Sequence, residues 1–444
     1  MAIAEASSGA GSVSHRLLSK IIDVRPSEVP ALAWSWLYIF SILSSYYIMR
    51  PIRDQMGIAG GVNNLQWLFT GTLVGMLLLN LPFSYLVKTL PRERFIPISY
   101  RFFSANILLF TLALYLATPE QTIWVGRIFF IWTSVFNLFV VSIFWQMIVD
   151  IFNSEQGKRL FGFIAAGATL GAISGSIFTI STIEHMAPGY LMIGAALMLE
   201  VAVFCVRRLS GLSAALSLRP QADQPQQPIG GTLLGGIRDA VSSSYLLNVS
   251  LFLLLYTVTS TFLYFQQAAV VSHSFESRAA QTEFFATIDL GVNVLTLAVQ
   301  LFLTGRILKR LGIASTLALL PIFSILGFGA VAAAPTLASV VGFQLLRRGG
   351  NFAISRPTRE VLFTVLPRED RYKAKSFIDT VVYRLGDQIG AWSFTLLTTF
   401  GLGLTQVSIV ASVISAGWLV NSLWLGRRQD TLAGQQEKYS EAHT

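Results

Sequence analysis

Residues 46–54, Tyr46-Tyr47-Ile48-Met49-Arg50-Pro51-Ile52-Arg53-Asp54, lie at the end of a long apolar run, and their last five return, nearly unchanged, as Arg356-Pro357-Thr358-Arg359-Glu360. In each copy two guanidinium groups and a carboxylate stand at i, i+3 and i+4, which is one face of a helix. Proline inside such a run removes the backbone bond to the residue four back (Tyr47 or Ala353), so a bend is expected at each copy. Charge at membrane depth is costly and is kept where it faces a wet cavity or a partner. Two such motifs point to opposite walls of one anion-binding chamber. The competing reading is helix-end arginines whose stems run along lipid to the headgroups.

The runs around these motifs set the class. Of 444 residues, 53% are hydrophobic and 12% charged, and the mean hydropathy is +0.60. That is the composition of a polytopic membrane protein. Stretches of about 20 apolar residues, enough to cross a bilayer, fall roughly at 31–55, 64–88, 96–118, 122–151, 160–183 and 189–206. Six more follow at roughly 245–271, 284–304, 312–334, 336–362, 375–399 and 404–426. The expected organisation is a cytoplasmic segment 1–30, a six-helix bundle 31–206, a linker 207–243, a second bundle 244–428 and a tail 429–444. Residues 14–24 have the pattern of a short amphipathic surface helix, and the Pro/Gln-rich linker that of a flexible connection.

A net charge of +9 would suggest nucleic acid in a soluble protein, but the positions of the basic residues exclude that partner here. Arg16, Lys20 and Arg25 precede the first run; Lys88, Arg92 and Arg94 follow the second; Lys158 and Arg159 follow the fourth. Arg306, Lys309 and Arg310 follow the eighth, and Arg368, Arg371, Lys373 and Lys375 the tenth. The alternate loops hold only Arg278. Basic residues mark the cytoplasmic side, so both termini are expected in the cytoplasm, in a multi-pass protein of the inner cell membrane. The single cysteine, Cys205, excludes an internal disulfide, and no signal cleavage site is expected. The four histidines lie in tails or loops, leaving no histidine proton relay across the membrane. No cofactor or metal is expected.

The halves repeat. Glu155-Gln-Gly-Lys-Arg-Leu-Phe-Gly-Phe163-Ile164 lines up without a gap on Glu369-Asp-Arg-Tyr-Lys-Ala-Lys-Ser-Phe377-Ile378. The same register carries the first run onto the seventh and sets Gln266 and Gln267 opposite Ile52 and Arg53. Together with the linker this gives an all-α membrane protein of twelve transmembrane helices in two six-helix bundles, the major facilitator arrangement. The segment Gly305-Arg-Ile-Leu-Lys-Arg-Leu-Gly312 resembles that superfamily's basic loops, without their usual aspartate.

In that arrangement helices 1, 4, 7 and 10 line the cavity, and the charges segregate accordingly. Helix 1 has Arg50, Arg53 and Asp54; helix 4 has Arg127, Asn137, Gln146 and Asp150; helix 7 has Tyr264, Gln266 and Gln267. Helix 10 has Arg347, Arg348, Asn351, Arg356, Arg359 and Glu360, whereas helices 2, 5, 9 and 12 have no charge in their apolar stretch. Arginine dominates the set, and its planar fork of five donors suits bidentate grip on phosphate or carboxylate oxygens. Of Arg347 and Arg348, at most one points inward. Glu200, alone in helix 6, reads as a protonated packing residue, Asp289 with Asn293 as an inter-helix polar contact, and Arg384 with Asp387 as a local ion pair. Gly167, Gly171 and Gly175 form a small-residue stripe that reads as a packing surface.

The stretch Tyr46–Asp54 resembles the helix 1 signature of the ATP/ADP translocases, nucleotide transporters of plastids and intracellular bacteria, Tyr-x-Ile-Leu-Arg-Asp-Thr-Lys-Asp. The family's functional lysine falls on Arg53. Phe144-Trp145-Gln-Met-Ile-Val-Asp150 is similar to the family's Phe-Trp-x4-Glu, which puts its functional glutamate on Asp150. Pro357-Thr-Arg359-Glu360, Lys373-Ala-Lys375, Ile378-Asp379 and Arg384-Leu-Gly386 resemble the helix 10–11 region, which puts a second functional lysine on Lys375. The family's charged stretch on helix 7 is replaced by Tyr264-Phe-Gln-Gln267, and Arg356 stands where aspartate is usual.

The resemblance implies nucleotide exchange by alternating access. The expected function is secondary transport of an anionic solute, by a monomer in the bilayer, with ATP/ADP-type exchange foremost. Arg50, Arg53, Arg356, Arg359 and Lys375 would grip the anion, Asp54, Asp150 and Glu360 would pair with them in the empty carrier, and Gln266 and Gln267 would complete the site. Proton-coupled transport of another organic anion or drug, using Asp54, Asp289 or Glu200, is the first alternative; a non-transporting membrane sensor or scaffold is the second. An enzyme is not expected, since no HExxH, GxSxG or Walker A pattern stands in a fitting context.

Overall fold

The computed structural model describes residues 23–216, 243–366, 374–375 and 377–441. The expected surface helix up to residue 22, the linker from 217 to 242 and the basic loop residues Arg368, Arg371 and Lys373 lie outside the described residues. Everything described is helix, turn or connection. The helices are α1 Val29–Ala59, α2 Leu65–Thr89, α3 Arg92–Leu116, α4 Pro119–Ile151, α5 Ser154–Thr182 and α6 Pro188–Leu216. They continue with α7 Ser244–Ser274, α8 Arg278–Phe302 and α9 Thr304–Ala333. α10 is Leu337–Gly350, followed without a gap by a π turn Asn351–Ser355 and a last piece Arg356–Leu362. α11 is a π turn Ile378–Val382 followed by Tyr383–Thr399, and α12 is Leu404–Glu441.

Local chemistry starts these helices where the sequence supplies a cap. Thr118 accepts from Gln121 N ahead of Pro119, Asn153 from Gln156 N, Ser243 from Leu246 N and Thr336 from Ser339 N, each satisfying a donor that a helix start leaves open. Gly312, at φ 71 and ψ 178, interrupts α9 between its basic first two turns and its apolar length. That conformation is open almost only to glycine. Among the described residues, ten helices are long and apolar enough to cross a membrane. The two expected spans missing from that number, α10 and α11, are helical but divided by their π turns. Large apolar side chains such as Leu116 (68% exposed), Leu326 (66%) and Val420 (68%) face outward. Aliphatic surface of that extent belongs against lipid.

The chain forms two compact units. The first comprises 1–60, 74–224 and 277–290; the second comprises 61–73, 225–276 and 291–444. In the first unit α1 is the central helix, and α5 lies along it. A Cβ on Gly171 would stand 2.3 Å from Phe40 O, one on Gly175 2.6 Å from Ser44 O, and one on Gly167 3.0 Å from Trp36 O. Only glycine permits this approach, so the stripe is a packing seam. Ser44 Oγ donates to Gly171 O across it at 3.0 Å. Arg159, near the start of α5, reaches the buried Glu28 ahead of α1 at 3.0 Å, and Gln156 Nε2 donates to the same carboxylate at 2.9 Å. Tyr38, Tyr100, Phe136 and Phe144 fill the core, with the Tyr38 and Tyr100 hydroxyls bonded to each other.

In the second unit α7 is central. α11 packs on it through Gly386, where a Cβ would fall 1.7 Å from Thr257 Oγ1 and 3.2 Å from Leu254 O. At Gly390 it would stand 3.1 Å from Val258 O. The first turns of α2 join this unit: Trp67 meets Trp392 edge-on at 4.8 Å, and Thr70 Oγ1 donates to Gln388 Oε1 at 3.0 Å.

Candidate functional site

In the first unit, the three charges of Arg50–Asp54 sit on an unbroken α-helix, with Pro51 inside it. Arg53 is held on three sides. Its Nε and Nη2 donate to Asp54 Oδ1 at 3.0 and 2.5 Å, Nη1 donates to Ser134 Oγ of α4 at 3.3 Å, and its guanidinium lies over the Phe130 ring at 4.9 Å. Arg50 turns to another helix. Its Nη1 meets Asp289 Oδ1 of α8 at 2.7 Å, with the carboxylate side chain only 2% exposed. Gln55 Nε2 donates to Gln281 Oε1 at 3.4 Å on the same two helices. Asp289 was legible as a charge in an apolar run; that its partner is Arg50 was not.

Asp150 stands one residue before the end of α4 and is exposed. Ser134, which touches Arg53 from α4, lies about 24 Å back along the helix at 1.5 Å per residue. The structure therefore does not bring Asp150 to the arginines of α1. Arg127, also on α4, donates to Gly60 O at 3.2 Å and covers Trp124.

In the second unit the Arg356–Glu360 motif begins directly after the π turn. Pro357 has no N–H to give to Ala353 O, and that carbonyl instead accepts from Thr304 Oγ1 at 2.8 Å. Gln300 Nε2 donates to the neighbouring Phe352 O at 3.2 Å. Arg356 is exposed. Arg359 lies 3.1 Å from Asp379 Oδ1, inside the π turn of α11, and Glu360 pairs with Lys375. Two ion pairs thus join α10 to Asp379 of α11 and to Lys375 just ahead of it.

Gln266 and Gln267 are buried inside the unit. Gln266 Nε2 donates to Ser408 Oγ of α12 at 2.8 Å, and Gln267 accepts from Gln344 of α10. Of the adjacent arginines, Arg347 is the one turned inward, 1% exposed, donating to Tyr256 O at 2.9 Å, Thr259 Oγ1 at 2.7 Å and Ser324 Oγ at 3.2 Å. These contacts tie α10 to α7 and α9. Arg384 and Asp387 form the expected local pair at 3.1 Å. Glu200 is not alone: it lies 3.6 Å from Arg101 of α3, a basic residue inside an apolar run.

No family model matches the chain. It is 18% identical to ADP,ATP carrier protein 2 of Chlamydia pneumoniae, over 93% of this chain and 91% of that protein. Among solved structures it is similar to a POT family transporter in complex with 5-aminolevulinic acid (10% identity, TM-score 0.63, 90% of this chain and 96% of that one). It is also similar to a bacterial homologue of the iron transporter ferroportin in an inward-facing state (13% identity, TM-score 0.62, 89% and 99%). The protein is a membrane transporter. It has the all-α major facilitator fold, and the resemblance to the ATP/ADP translocases reaches from the motifs of helices 1, 4, 10 and 11 to nearly the whole chain. The relatives are transporters rather than enzymes, so the side chains above are candidates for holding a solute, not for covalent chemistry.

Proposed function

We propose that this transporter exchanges anionic solutes, with nucleotides of the ATP/ADP type foremost, and works as a monomer in the inner cell membrane with both termini in the cytoplasm. Arg50 and Arg53 on α1 and Arg359 and Lys375 in the second unit hold the anionic oxygens. The observation that carries this reading is the state of those cations in the structure, where each faces a carboxylate: Arg50–Asp289, Arg53–Asp54, Arg359–Asp379 and Lys375–Glu360. An arriving phosphate displaces one counter-ion with another, so no guanidinium is left bare at membrane depth. The empty carrier is held by its own ion pairs. Exchange is thereby favoured over one-way flux, because only a bound anion releases them.

The near-full-length relative named as an ADP,ATP carrier supports nucleotides over other anions. The basic residues of alternate connections support the orientation. The test is uptake of labelled ADP by proteoliposomes loaded with ATP or left empty. Uptake is expected only in the loaded vesicles, and Arg53→Ala is expected to lower it by about 100-fold, the loss of a charge-assisted, partly buried contact. Absence of counter-exchange, or full exchange by Arg53→Ala, would defeat the assignment. Uptake that follows a pH gradient into empty vesicles would favour proton coupling instead.

A further inference from the structure

We propose that α11 contains one residue more than its counterpart α5, stored in the π turn Ile378–Val382, and that this residue sets Asp379 against Arg359 as a positioning residue. The transport role given to Asp379 rests on the exchange reading above. The register comes from two independent observations.

The first is the repeat. Phe163-Ile164 of α5 matches Phe377-Ile378 of α11 without a gap, yet the glycines that follow do not stay in step: Leu170-Gly171 and Gly175 match Leu385-Gly386 and Gly390 only if α11 has one additional residue. The second is the packing. The register that sets Ile52 opposite Gln266 also sets Phe40 opposite Leu254 and Ser44 opposite Val258. Gly171 approaches Phe40 O and Gly175 approaches Ser44 O; Gly386 approaches Leu254 O and Gly390 approaches Val258 O. The two seams are therefore equivalent residue by residue, and the step falls between Ile378 and Leu385. The π turn Ile378–Val382 begins within that interval. A π turn is how a helix absorbs a single added residue, and such turns gather at functional sites.

The consequence for the side chains follows from helix geometry. The Gly386–Gly390 seam fixes the later turns of α11 on α7. Each residue before the π turn is rotated by about 100° relative to an uninterrupted α-helix. With the added residue, Asp379 lies 3.1 Å from Arg359. Without it, Asp379 would take the direction now held by Thr380, which is exposed. The third glycine of the first seam, Gly167, has no glycine counterpart in the second; Val381 and Val382 of the π turn stand there instead.

Two measurements test this on the full-length chain. With Cys205→Ala to remove the native thiol, Arg359→Cys and Asp379→Cys are expected to cross-link through a short bis-maleimide, which alkylates both thiols. The cross-link is expected to fail when Thr380 is deleted, while Gly386 and Gly390 keep α11 folded onto α7. Persistence of the cross-link after the deletion would overturn the register claim, whether or not the protein carries nucleotides. In proteoliposomes, Asp379→Asn is expected to lower KM for labelled ADP about tenfold with kcat within about twofold, because the arriving anion no longer has a carboxylate to displace from Arg359, and Asp379→Glu to keep KM near the wild-type value. A wild-type KM in Asp379→Asn would overturn the positioning role. Failure of wild-type protein to exchange ADP would sink the exchange reading, and the positioning role with it, leaving the register to be decided by the cross-link.

Discussion

Arg50-Pro51-Ile52-Arg53-Asp54 and Arg356-Pro357-Thr358-Arg359-Glu360 have nearly the same side chains in the same order, yet the protein treats them differently. The first copy lies inside one continuous α-helix, its aspartate is buried, and its second arginine is closed by the neighbouring residue. The second follows a π turn, exposes its first arginine, and finds its counter-ions on the next helix. What differs is the surroundings. Asp54 is short and folds back onto Arg53, whereas Glu360 is longer and reaches Lys375. The carbonyl that Pro357 leaves open has Thr304 beside it. A motif fixes which groups are available, and the helices packed around it fix which pairs form.

Four substitutions probe this difference, each read by thermal unfolding of detergent-purified protein. Asp289→Asn has the largest expected effect. It leaves the Arg50 guanidinium without its 2.7 Å carboxylate at a mostly buried site, and breaking a buried pair from one side costs about 3–5 kcal/mol. A change below about 1 kcal/mol would mean that Arg50 is satisfied without Asp289, and the two copies would then be alike. Thr304→Val removes the donor to Ala353 O and strands a buried carbonyl, a loss of about 1–2 kcal/mol. An unchanged midpoint would show that the π turn needs no help from α9.

Glu360→Gln, in a pair whose side chains are 43% and 39% exposed, is expected to cost at most about 1 kcal/mol. A larger loss would place that pair in the class of Arg50–Asp289. Arg356→Ala comes last, within about 0.5 kcal/mol, as for a surface position. Marked destabilisation there would erase the distinction between an enclosed and an open copy.

Much of the fold was legible in the chain because span length and apolarity are local quantities. The runs drawn from hydropathy fall on α1–α12, although α6 and α12 continue ten and fifteen residues past the expected ends and α9 starts eight residues early, and the glycine stripe of α5 is a seam. The divided helices were less legible. Proline was expected to bend both copies; α1 continues as one α-helix through Pro51, while the second copy is preceded by a π turn that the proline pattern does not announce. The added residue of α11 was visible only once the contacts of Gly386 and Gly390 showed which carbonyls they face.

The candidate residues divide in the same way. Arg53 with Asp54 and Glu360 with Lys375 are brought together. Asp150 lies far along α4 from the α1 arginines, and Gln266 and Gln267 are bonded to Ser408 and Gln344 inside their unit. Asp289 and Asp379 gained their importance from the residues they face.

The chain by itself determined the solvent it needs, the twelve apolar runs, and the concentration of arginine in a few of them, because each follows from residues near one another along the backbone. Tertiary structure alone decided which carboxylate answers which cation. Asp289 and Arg50 are hundreds of residues apart in sequence, and a single added residue turns a side chain by about 100°. Pairing at that distance depends on helix register and packing, which the order of residues encodes only through the whole fold.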